Sequence, residues 1–532
     1  MKAFCPLLMI ISSATSAFSQ AAEPLSLQQN QNGRSKVWFD LGSQHIESAT
    51  KRFDTHDNKR GAAKNIILFI GDGMGLSTVT AARILDGQLK GGRGEENRLT
   101  FEQFPYTGFS KTYNTNQQTP DSAGTATALL TGVKTKAGMI NIGDDSERAN
   151  CQMQKKYELV SALELAHLAG KSTGVVTTTA ITHATPATAY AKSSNRDWEV
   201  DSKLSAEAEA NGCKDIASQL VDSAYVDVAM GGGRSHFLPK SFIDDEGAAG
   251  KREDNQNLIQ TWQQKTGGVY VSDQKSFDRL PENSNKVLAL FNPNHMRYEQ
   301  DRLNDTAGEP SLAEMTTKTI KLLQNNPNGF FMLVEGGRID HAHHAGNAYN
   351  ALHETIALDR AVAAAQSLTS AEDTLLIVTA DHSHVFTIAG YPTRGNPILG
   401  KVIGNNLSGQ PKTSFDTVYD KKPYTTLGYT NGLGFRDFGQ ELNADASYQQ
   451  APNVNRQDLT KIDTKTPGYH QETAIPRGSE THGGEDVGIY ASGPGAALIV
   501  GTLEQNIIFH VREHAGNLTV KPEQKKWFRR LF

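Results

Sequence analysis

The chain has 532 residues, of which 37% are hydrophobic and 21% are charged. This is the composition of an ordinary soluble globular protein, and the length is sufficient for one large hydrophobic core or several smaller ones. The formal net charge of -5 provides no basic surface for specific binding of nucleic acid or for an anionic membrane, so neither partner is favoured.

The first 22 residues predict a secretory signal peptide. They contain one early lysine, an apolar stretch from Ala3 to Ile11 and then small residues, and they predict export to a periplasm or to the outside of the cell. A membrane anchor is disfavoured because a span requires roughly 20 apolar residues, and the mature chain has no other apolar run of that length. The two cysteines that remain after the leader, Cys151 and Cys213, are expected to form one disulfide in an oxidising compartment.

A short apolar run of β type that stops in a polar, glycine-containing turn recurs along the chain. Helical patterns, such as residues 159–171 and 351–368, lie between these runs. Strands that alternate with helices predict an α/β domain with a three-layer, doubly wound and mostly parallel sheet. The runs are residues 65–75, 172–185, 226–233, 329–344, 374–384 and 485–493.

The predicted domain organisation follows from where these runs begin and end. Residues 23–60 form an N-terminal segment with a plausible amphipathic helix at 36–53, and residues 61–520 form the main domain. Residues 391–478 are rich in Gly, Pro, Asn and Tyr and show little periodicity, which predicts a large insertion. Residues 521–532 form a solvated tail.

Polar residues follow the predicted strands at the points where these end. In parallel sheets, ligands bind outside the carboxyl ends of the strands. We therefore expect these side chains to converge on one rim of the sheet: Asp72, Thr185, Glu335, Asp340, Asp381 and His382.

The segment from Glu335 to His344 contains a possible metal site. Asp340 and His344 are four residues apart, so on a helix they lie one turn apart on the same face and can bind one cation. The alternative is a capping aspartate with surface histidines. Glu335 would point to the same rim, and its hard oxygen ligands suit magnesium better than zinc.

Asp381 and His382 suit a metal that takes one oxygen and one nitrogen ligand. Neighbours in a strand point to opposite faces, so a shared metal requires the chain to turn there. Together with the preceding pair, these ligands fit two zinc ions better than one. Asp72 and His482 are further candidates; the alternatives are a tight Asp-Gly turn for Asp72 and an ordinary loop histidine for His482.

Ser122 is the candidate nucleophile. Asp121 or Ser122 can cap a helix that starts after Pro120, and a cap is the alternative role for Ser122. A hydroxyl at a helix N-terminus lies where backbone N–H groups hold an anion. No histidine neighbours Ser122 in the sequence as a general base, so activation by a metal ion is the expected route.

The chain resembles the alkaline phosphatases over nearly all of its mature length, because six motifs occur in it in the same order as in that family. The motifs are Ile-Gly-Asp-Gly-Met-Gly, Pro-Asp-Ser-Ala-Gly-Thr-Ala-Thr-Ala, Val-Val-Thr-Thr-Thr, Val-Glu-Gly-Gly-Arg-Ile-Asp-His, Thr-Ala-Asp-His-Ser-His and Glu-Thr-His-Gly-Gly-Glu-Asp. The resemblance implies hydrolysis of phosphate monoesters by a homodimer, with the insertion as a crown subdomain and the helix at 36–53 embracing the partner subunit.

The resemblance also implies the role of each site residue. Ser122 would become phosphoserine, and Arg196 would clamp two phosphate oxygens, whereas a surface salt bridge is the alternative for Arg196. The first zinc ion would be bound by Asp340, His344 and His482, and the second by Asp72, Asp381 and His382. Asp72 would also reach a magnesium ion shared with Thr185 and Glu335.

Some positions vary within the family. His183 and His341 match the vertebrate-type branch, as does a Cys151–Cys213 disulfide. His183 lies two residues before Thr185, so the third metal is expected to be magnesium, with replacement by zinc or partial vacancy as alternatives. A calcium site of the vertebrate type is not expected, because Phe291-Asn292 replaces the Phe-Glu step of the family.

Three rival functions share some of these features. Sulfatases of the same superfamily need a Cys/Ser-x-Pro-x-Arg stretch, which Ser122 does not begin. Nucleotide phosphodiesterases usually have a threonine nucleophile and lack the arginine clamp. A secreted metal-binding or adhesive protein without catalysis would lack the nucleophile or a ligand, and none is missing.

Overall fold

The computed structural model describes residues 27–52, 58–434 and 456–519. Helices and strands alternate along the chain, as the apolar runs predict. The helices are α1 Ser35–Arg52, α2 Leu76–Leu89, α3 Ser122–Thr131, α4 Cys151–Gln154, α5 Ala162–Leu168, α6 Ala184–Ala187, α7 Ala206–Ala210, α8 Ile216–Asp222, α9 Leu258–Thr266, α10 Gln274–Asp278, α11 Leu312–Leu323, α12 Arg338–His344, α13 Ala348–Leu368 and α14 Ile507–Gly516. The strands are β1 Asn65–Gly71, β2 Tyr106–Lys111, β3 Ser172–Ala180, β4 Val228–Gly232, β5 Val269–Val271, β6 Val287–Leu290, β7 Phe330–Gly336, β8 Thr374–Ala380, β9 Ser383–His384, β10 Phe386–Ile388, β11 Leu427–Gly432, β12 Thr473–Pro476, β13 His482–Gly483, β14 Val487–Ser492 and β15 Gly501–Glu504.

The main sheet has ten strands in the order β15-β2-β14-β8-β1-β7-β3-β4-β6-β5. All neighbours from β8 to β5 in this order are parallel, and β15 is parallel to β2. The strand β14 runs antiparallel to both of its neighbours. The predicted α/β fold with a mostly parallel sheet is confirmed.

Both faces of the sheet are buried. On β1, Ile66, Leu68 and Ile70 belong to one hydrophobic cluster, whereas Ile67 and Phe69 belong to the cluster on the other face. Successive side chains of a strand point to opposite faces, so a strand covered on both sides needs an uninterrupted apolar run. Helices α1, α3, α5 and α14 contribute to the first cluster, and α2, α11 and α13 contribute to the second, which gives three layers.

Local capping explains where the helices differ from the predicted patterns. The pattern over 159–171 is helical only from Ala162 to Leu168, because Ser161 caps the helix in a reciprocal pair of hydrogen bonds with Glu164. The pattern over 351–368 starts earlier, at Ala348, because the side chain of Asn347 accepts a hydrogen bond from the backbone N–H of Asn350.

The predicted insertion supplies two strands of a separate sheet. β11 is the central strand of this sheet and pairs with β10 on one side and with β12 on the other. After β8 the chain turns, and β9 pairs antiparallel with β13, which places His384 opposite His482. The short β9–β13 pair therefore brings the end of the insertion back to the carboxyl edge of the main sheet.

Helix α1 covers nearly the range that the amphipathic pattern predicts. Phe39 and Ile46 are buried in the first hydrophobic cluster, and the ring of Phe39 lies 4.8 Å from that of His510 on α14. Val37, in contrast, is 65% exposed. Among the described residues, no helix combines the length and the apolar character that crossing a membrane requires; the predicted leader and tail lie outside those residues.

Cys151 and Cys213 form a disulfide, with their Cα atoms 5.9 Å apart. The predicted pairing is therefore confirmed. Both residues are buried in a small cluster with Trp198 and Ala208. The bond joins positions 62 residues apart, and the enclosed segment contains β3 and Arg196.

We expect replacement of both cysteines by serine to lower the free energy of unfolding by about 2–4 kcal/mol, because the cross-link restricts the unfolded chain. Denaturant unfolding of the double variant and of oxidised and reduced wild-type protein measures the effect. The variant should match the reduced protein, and a midpoint equal to that of the oxidised protein would contradict the prediction.

Candidate active site

The polar residues predicted to follow the strands converge at one edge of the sheet. The four adjacent parallel strands β8, β1, β7 and β3 end on this edge. β8 ends at Ala380, so Asp381 and His382 lie beyond the strand. Their side chains therefore need not point to opposite faces of the sheet, as neighbours within a strand do. The converging side chains are fully buried: Asp72, Thr185, Glu335, Asp381 and His382.

The first ligand group contains Asp340, His344, His384 and His482. Asp340 and His344 lie one turn apart on α12, as their spacing predicts. The Nε2 atoms of His344 and His482 are each 3.3 Å from Asp340 Oδ1, and that of His384 is 2.8 Å from the same oxygen. One carboxylate and several imidazoles at this separation form a donor set typical of zinc.

The backbone fixes which nitrogen of two histidines faces this group. The Nδ1 atoms of His344 and His482 lie 2.7 Å from the carbonyl oxygens of Glu480 and Pro120. A carbonyl oxygen only accepts, so each ring carries its hydrogen on Nδ1 and presents a lone pair at Nε2. The two Nε2 atoms are 2.9 Å apart. With both rings neutral, two lone pairs face each other beside the Asp340 carboxylate, an arrangement that a bound cation satisfies.

The second ligand group joins Asp72, Asp381 and His382. His382 Nε2 lies 3.4 Å from Asp72 Oδ1 and 3.4 Å from Asp381 Oδ2. Its Nδ1 donates to the carbonyl oxygen of Ser383 at 3.2 Å, so Nε2 again presents a lone pair. Asp340 completes a close set with Asp72 and His382, which makes the first and second groups neighbours.

The third ligand group contains Asp72, His183 and Glu335. The hydroxyl of Thr185 donates to Asp72 Oδ2 at 3.4 Å, and that of Thr177 donates to Glu335 Oε2. Glu335 Oε1 and His183 Nδ1 are both buried and make no hydrogen bond with any described residue. Buried polar atoms are nearly always satisfied, so the unpaired carboxylate oxygen of Glu335 indicates a bound cation, and the unpaired ring nitrogen of His183 indicates a further polar partner.

Ser122 lies against the second ligand group. It is the first residue of α3, and Asp121 is the cap, accepting a hydrogen bond from the backbone N–H of Gly124 at 3.1 Å. The hydroxyl oxygen of Ser122 is 3.1 Å from His382 Nε2 and 3.4 Å from Asp72 Oδ1. The histidine that Ser122 lacks in sequence is therefore supplied in space by the end of β8.

Arg196 is held at both ends of its guanidinium group. Its Nη1 donates to Asp121 Oδ2 at 3.1 Å, and its Nη2 donates to His183 Nε2 at 3.0 Å. The side chain is only 20% exposed. The salt bridge that was the alternative role for Arg196 is present, but it involves the cap of α3 and lies at the rim rather than on an outer surface.

The rim concentrates negative charge away from water. Burial, and the proximity of Asp381, Asp340 and Glu335, raise the pKa of Asp72 well above its usual value. Burial likewise raises the pKa of Glu335 to about 7. Carboxylates that share a buried site cannot all ionise without compensating positive charge. The electrostatics and the unpaired oxygen of Glu335 therefore both indicate cations.

Comparison with known proteins agrees with this geometry. The sequence model of the family described as alkaline phosphatase matches residues 63–518. The chain belongs to the alkaline phosphatase family. The human tissue-nonspecific alkaline phosphatase is 45% identical over 492 residues, which cover 90% of this chain and 88% of the human protein. The alkaline phosphatase of Gadus morhua is 43% identical over 493 residues, covering 90% and 97% of the two chains.

Solved structures of alkaline phosphatases share the fold. That of Thermus thermophilus superposes with a TM-score of 0.60 at 23% identity, covering 88% of this chain and 96% of its own. The alkaline phosphatase from the Antarctic bacterium TAB5 has a TM-score of 0.58 at 23% identity, covering 86% and 100%. The resemblance seen in the motifs, and the prediction of an enzyme, are confirmed.

His384 and Glu480 belong to the site but were not singled out from the sequence. His384 Nδ1 is 2.6 Å from Glu480 Oε2, and its Nε2 contacts Asp340. Burial alone would lower its pKa, but Glu480 and Asp340 raise the pKa of His384 to about 10. The motif Thr-Ala-Asp-His-Ser-His contains His384, but only the pairing of β9 with β13 shows where it lies.

Two positions considered for additional metals lie outside the three ligand groups. His341 Nδ1 accepts from Arg338 Nη1 at 2.7 Å, and its ring is 4.3 Å from that of His295, so it forms an outer layer beside the third group. Asn292 donates to Glu309 Oε1 at 2.7 Å. An amide at this position pairs directly with a carboxylate.

We expect Glu480→Gln to weaken zinc retention about 10-fold to 100-fold, because His384 loses the carboxylate that orients it against Asp340. Zinc remaining after dialysis against graded chelator measures this. Glu472→Gln is the matched control, because Glu472 is partly buried and pairs with Arg456 at 2.9 Å in the insertion. Equal zinc retention in the two variants would show that Glu480 has no such role.

Proposed function

We propose that this protein hydrolyses phosphate monoesters through a phosphoserine intermediate on Ser122. The observation that carries the proposal is the position of the Ser122 hydroxyl, which lies at the N-terminus of a buried ten-residue helix and contacts His382 and Asp72 of the second ligand group. Membership of the alkaline phosphatase family supports the reaction class. Hydroxyl, anion-binding helix end and metal ligands are the parts that phosphoryl transfer to a serine requires.

The donor set fits two zinc ions. We infer that Asp340, His344 and His482 hold the first, and that Asp72, Asp381 and His382 hold the second. The Nε2 lone pairs of these histidines, turned inward by hydrogen bonds at Nδ1, support the assignment. Two zinc ions bound there would supply Lewis-acid stabilisation of the attacking and leaving oxygens.

The third ligand group fits magnesium, held by Asp72, Thr185 and Glu335. Arginine remains protonated and can only donate, so His183 Nε2 accepts from Arg196 and the neutral ring carries its hydrogen on Nδ1. Burial lowers the pKa of His183 well below its usual value, which keeps the ring neutral. A protonated Nδ1 cannot ligate a metal, so the site offers oxygen ligands, which magnesium prefers.

The proton of Ser122 has two acceptors. In this structure His382 Nε2, a lone pair, accepts it at 3.1 Å. The other acceptor is Asp72 Oδ1 at 3.4 Å. Both acceptors are ligands inferred for the second zinc ion, and a zinc ion bound there would itself favour the deprotonated hydroxyl.

Arg196 and the start of α3 would bind the phosphate oxygens. Asp121 and His183 use one hydrogen of each terminal nitrogen of Arg196, and one hydrogen of each nitrogen remains for the substrate. A planar guanidinium held on both sides matches two phosphate oxygens and stays charged in alkali. This favours a monoester, which carries more charge than the diester that a phosphodiesterase would cleave.

We also infer that the protein is exported and forms a homodimer. The leader-like residues 1–22 support export. Large apolar side chains are exposed on the described part of the insertion, and Tyr391, Leu407 and Tyr419 are each at least 90% exposed. Large apolar side chains exposed on one inserted segment are compatible with a protein interface, which supports the insertion as the crown at which two copies meet.

Ser122→Ala should lower the rate of p-nitrophenyl phosphate hydrolysis by roughly 10³-fold or more, because it removes the proposed attacking hydroxyl. Zinc and magnesium content should stay near that of the wild type. Ser311→Ala, which removes a helix-terminal serine on α11, is the control and should retain activity. A Ser122→Ala variant with wild-type turnover, or faster turnover of bis(p-nitrophenyl) phosphate than of the monoester, would contradict the proposal.

We expect two zinc ions and one magnesium ion per chain in elemental analysis of the purified protein. Glu335→Gln should lose magnesium because it removes a direct ligand, whereas His183→Ala should retain most of it because His183 Nδ1 is protonated. Three tightly bound zinc ions, or equal loss of magnesium in both variants, would contradict the assignment.

A further inference from the structure

Helix α3 carries Ser122 at its first turn, and side chains from distant segments hold its last turn. All ten residues of α3 are buried. Asn30 Nδ2 donates to the carbonyl oxygen of Thr131 at 2.8 Å, and Asn506 Nδ2 donates to that of Gly132 at 3.1 Å. The guanidinium of Arg512, on α14, donates to the carbonyl oxygen of Leu129. Carbonyls at a helix C-terminus have no partner within the helix, and here tertiary contacts supply one.

Arg512 is in an unusual environment for an arginine. It is fully buried, its Nε donates to the carbonyl oxygen of Ile508 at 3.1 Å, and its guanidinium carbon lies 5.5 Å from the centre of the Phe331 ring. Among the described residues it forms no salt bridge, and its Nη1 makes no hydrogen bond.

Such a placement opposes stability. Burial lowers the pKa of Arg512, and an uncompensated buried charge costs free energy that an apolar side chain of similar size would not cost. Packing alone therefore does not account for an arginine at this position. What it does provide is a charge-assisted hydrogen bond and a positive charge at the negative end of the α3 dipole.

The contact lies in line with the nucleophile. Leu129 is seven residues after Ser122, which is about two turns or roughly 10 Å along the helix axis. The first half of α3 consists of small residues, Ser-Ala-Gly-Thr-Ala, and its side-chain anchor near the site is the Thr125 hydroxyl, which donates to Asp381 Oδ2 at 3.1 Å. The contact of Arg512 with the last turn adds to this anchor in setting the position of α3 along its own axis.

We propose that Arg512 is a positioning residue, which holds α3 through the Leu129 carbonyl and thereby sets the distance of the Ser122 hydroxyl from His382 and Asp72. The proposal rests on the proposed role of Ser122 as nucleophile. It differs from a purely structural role, because it affects the rate at which Ser122 reacts more than it affects folding or substrate binding.

The test is rapid-mixing measurement of Ser122 phosphorylation by p-nitrophenyl phosphate in the metal-loaded protein. Arg512→Met keeps the volume but removes the charge and the donors. We expect about a 10-fold slower phosphorylation, the loss that a small displacement of a reacting group causes. KM should stay within about twofold, because Arg196 and the ligand groups are unchanged, and Tm should be equal or higher, because a buried charge is lost.

Lys171→Met is the matched control. Lys171 is also buried, and it donates only to carbonyl oxygens, those of Lys64 at 2.8 Å and Asn328 at 3.0 Å, at the amino end of β3. Phosphorylation in this variant should equal that of the wild type. Arg512→Lys restores a charged donor and should recover most of the rate lost in Arg512→Met.

Three outcomes would overturn the inference. These are wild-type phosphorylation in Arg512→Met, an equal loss in Lys171→Met, or a loss accompanied by lower Tm and no recovery in Arg512→Lys. Should Arg512→Met not fold, Arg512→Leu takes its place: slower phosphorylation at unchanged KM supports the inference, and a wild-type rate overturns it. If Ser122→Ala itself remained phosphorylated and active, the proposed function would fail instead.

Discussion

The mutual repulsion of buried carboxylates is the constraint on which the rest of this structure depends. Asp72, Glu335, Asp340 and Asp381 lie at one edge of the sheet and are at most 4% exposed. Taking an ion out of water costs several kcal/mol even after relaxation, and like charges add to that cost. Within the described residues, the chain itself offers mainly Arg196 and the Glu480-paired His384 against this charge. The Nε2 lone pairs of the site histidines and the unpaired oxygen of Glu335 also face this charge, and bound cations would neutralise the whole group.

The fold concentrates these groups because adjacent parallel strands end on the same edge. Their interiors are uninterrupted apolar runs that are buried on both faces. The first polar residue after each strand therefore lies at the carboxyl edge of the sheet. Because Asp381 and His382 lie beyond the last residue of β8, their side chains need not point to opposite faces of the sheet and can face one ligand. The hydroxyl of Thr177, still within β3, turns to Glu335 and fixes the one carboxylate that comes from inside a strand.

The sequence predicted what depends on local order along the chain and missed what depends on pairing between distant segments. Apolar runs with polar ends sufficed for the sheet, for the rim and for residues such as Asp340 and His344, whose spacing on one helix is a local property. His384 was overlooked because its position depends on the register of β9 with β13, and two-residue strands leave no periodic signal. The capping roles of Asp121 and Asn347 were likewise undecided or missed, since several nearby residues could serve as caps.

Arg512 is another residue whose environment depends on distant segments and could not be predicted from the sequence. In sequence it is one charged residue in a segment for which no role was predicted, and exposure is the ordinary expectation for an arginine. Only the packing of α14 against α3 reveals that it is buried and bonded to Leu129. Asn30 and Asn506 contact the same helix end from the two extremes of the described chain. Helix α3, which carries Ser122, is thus held at one end by its local cap, Asp121, and at the other by residues that are 101 and 374 positions from their partners. A motif around Ser122 can therefore identify the chemistry, but the accuracy with which the hydroxyl is placed is a property of the whole domain.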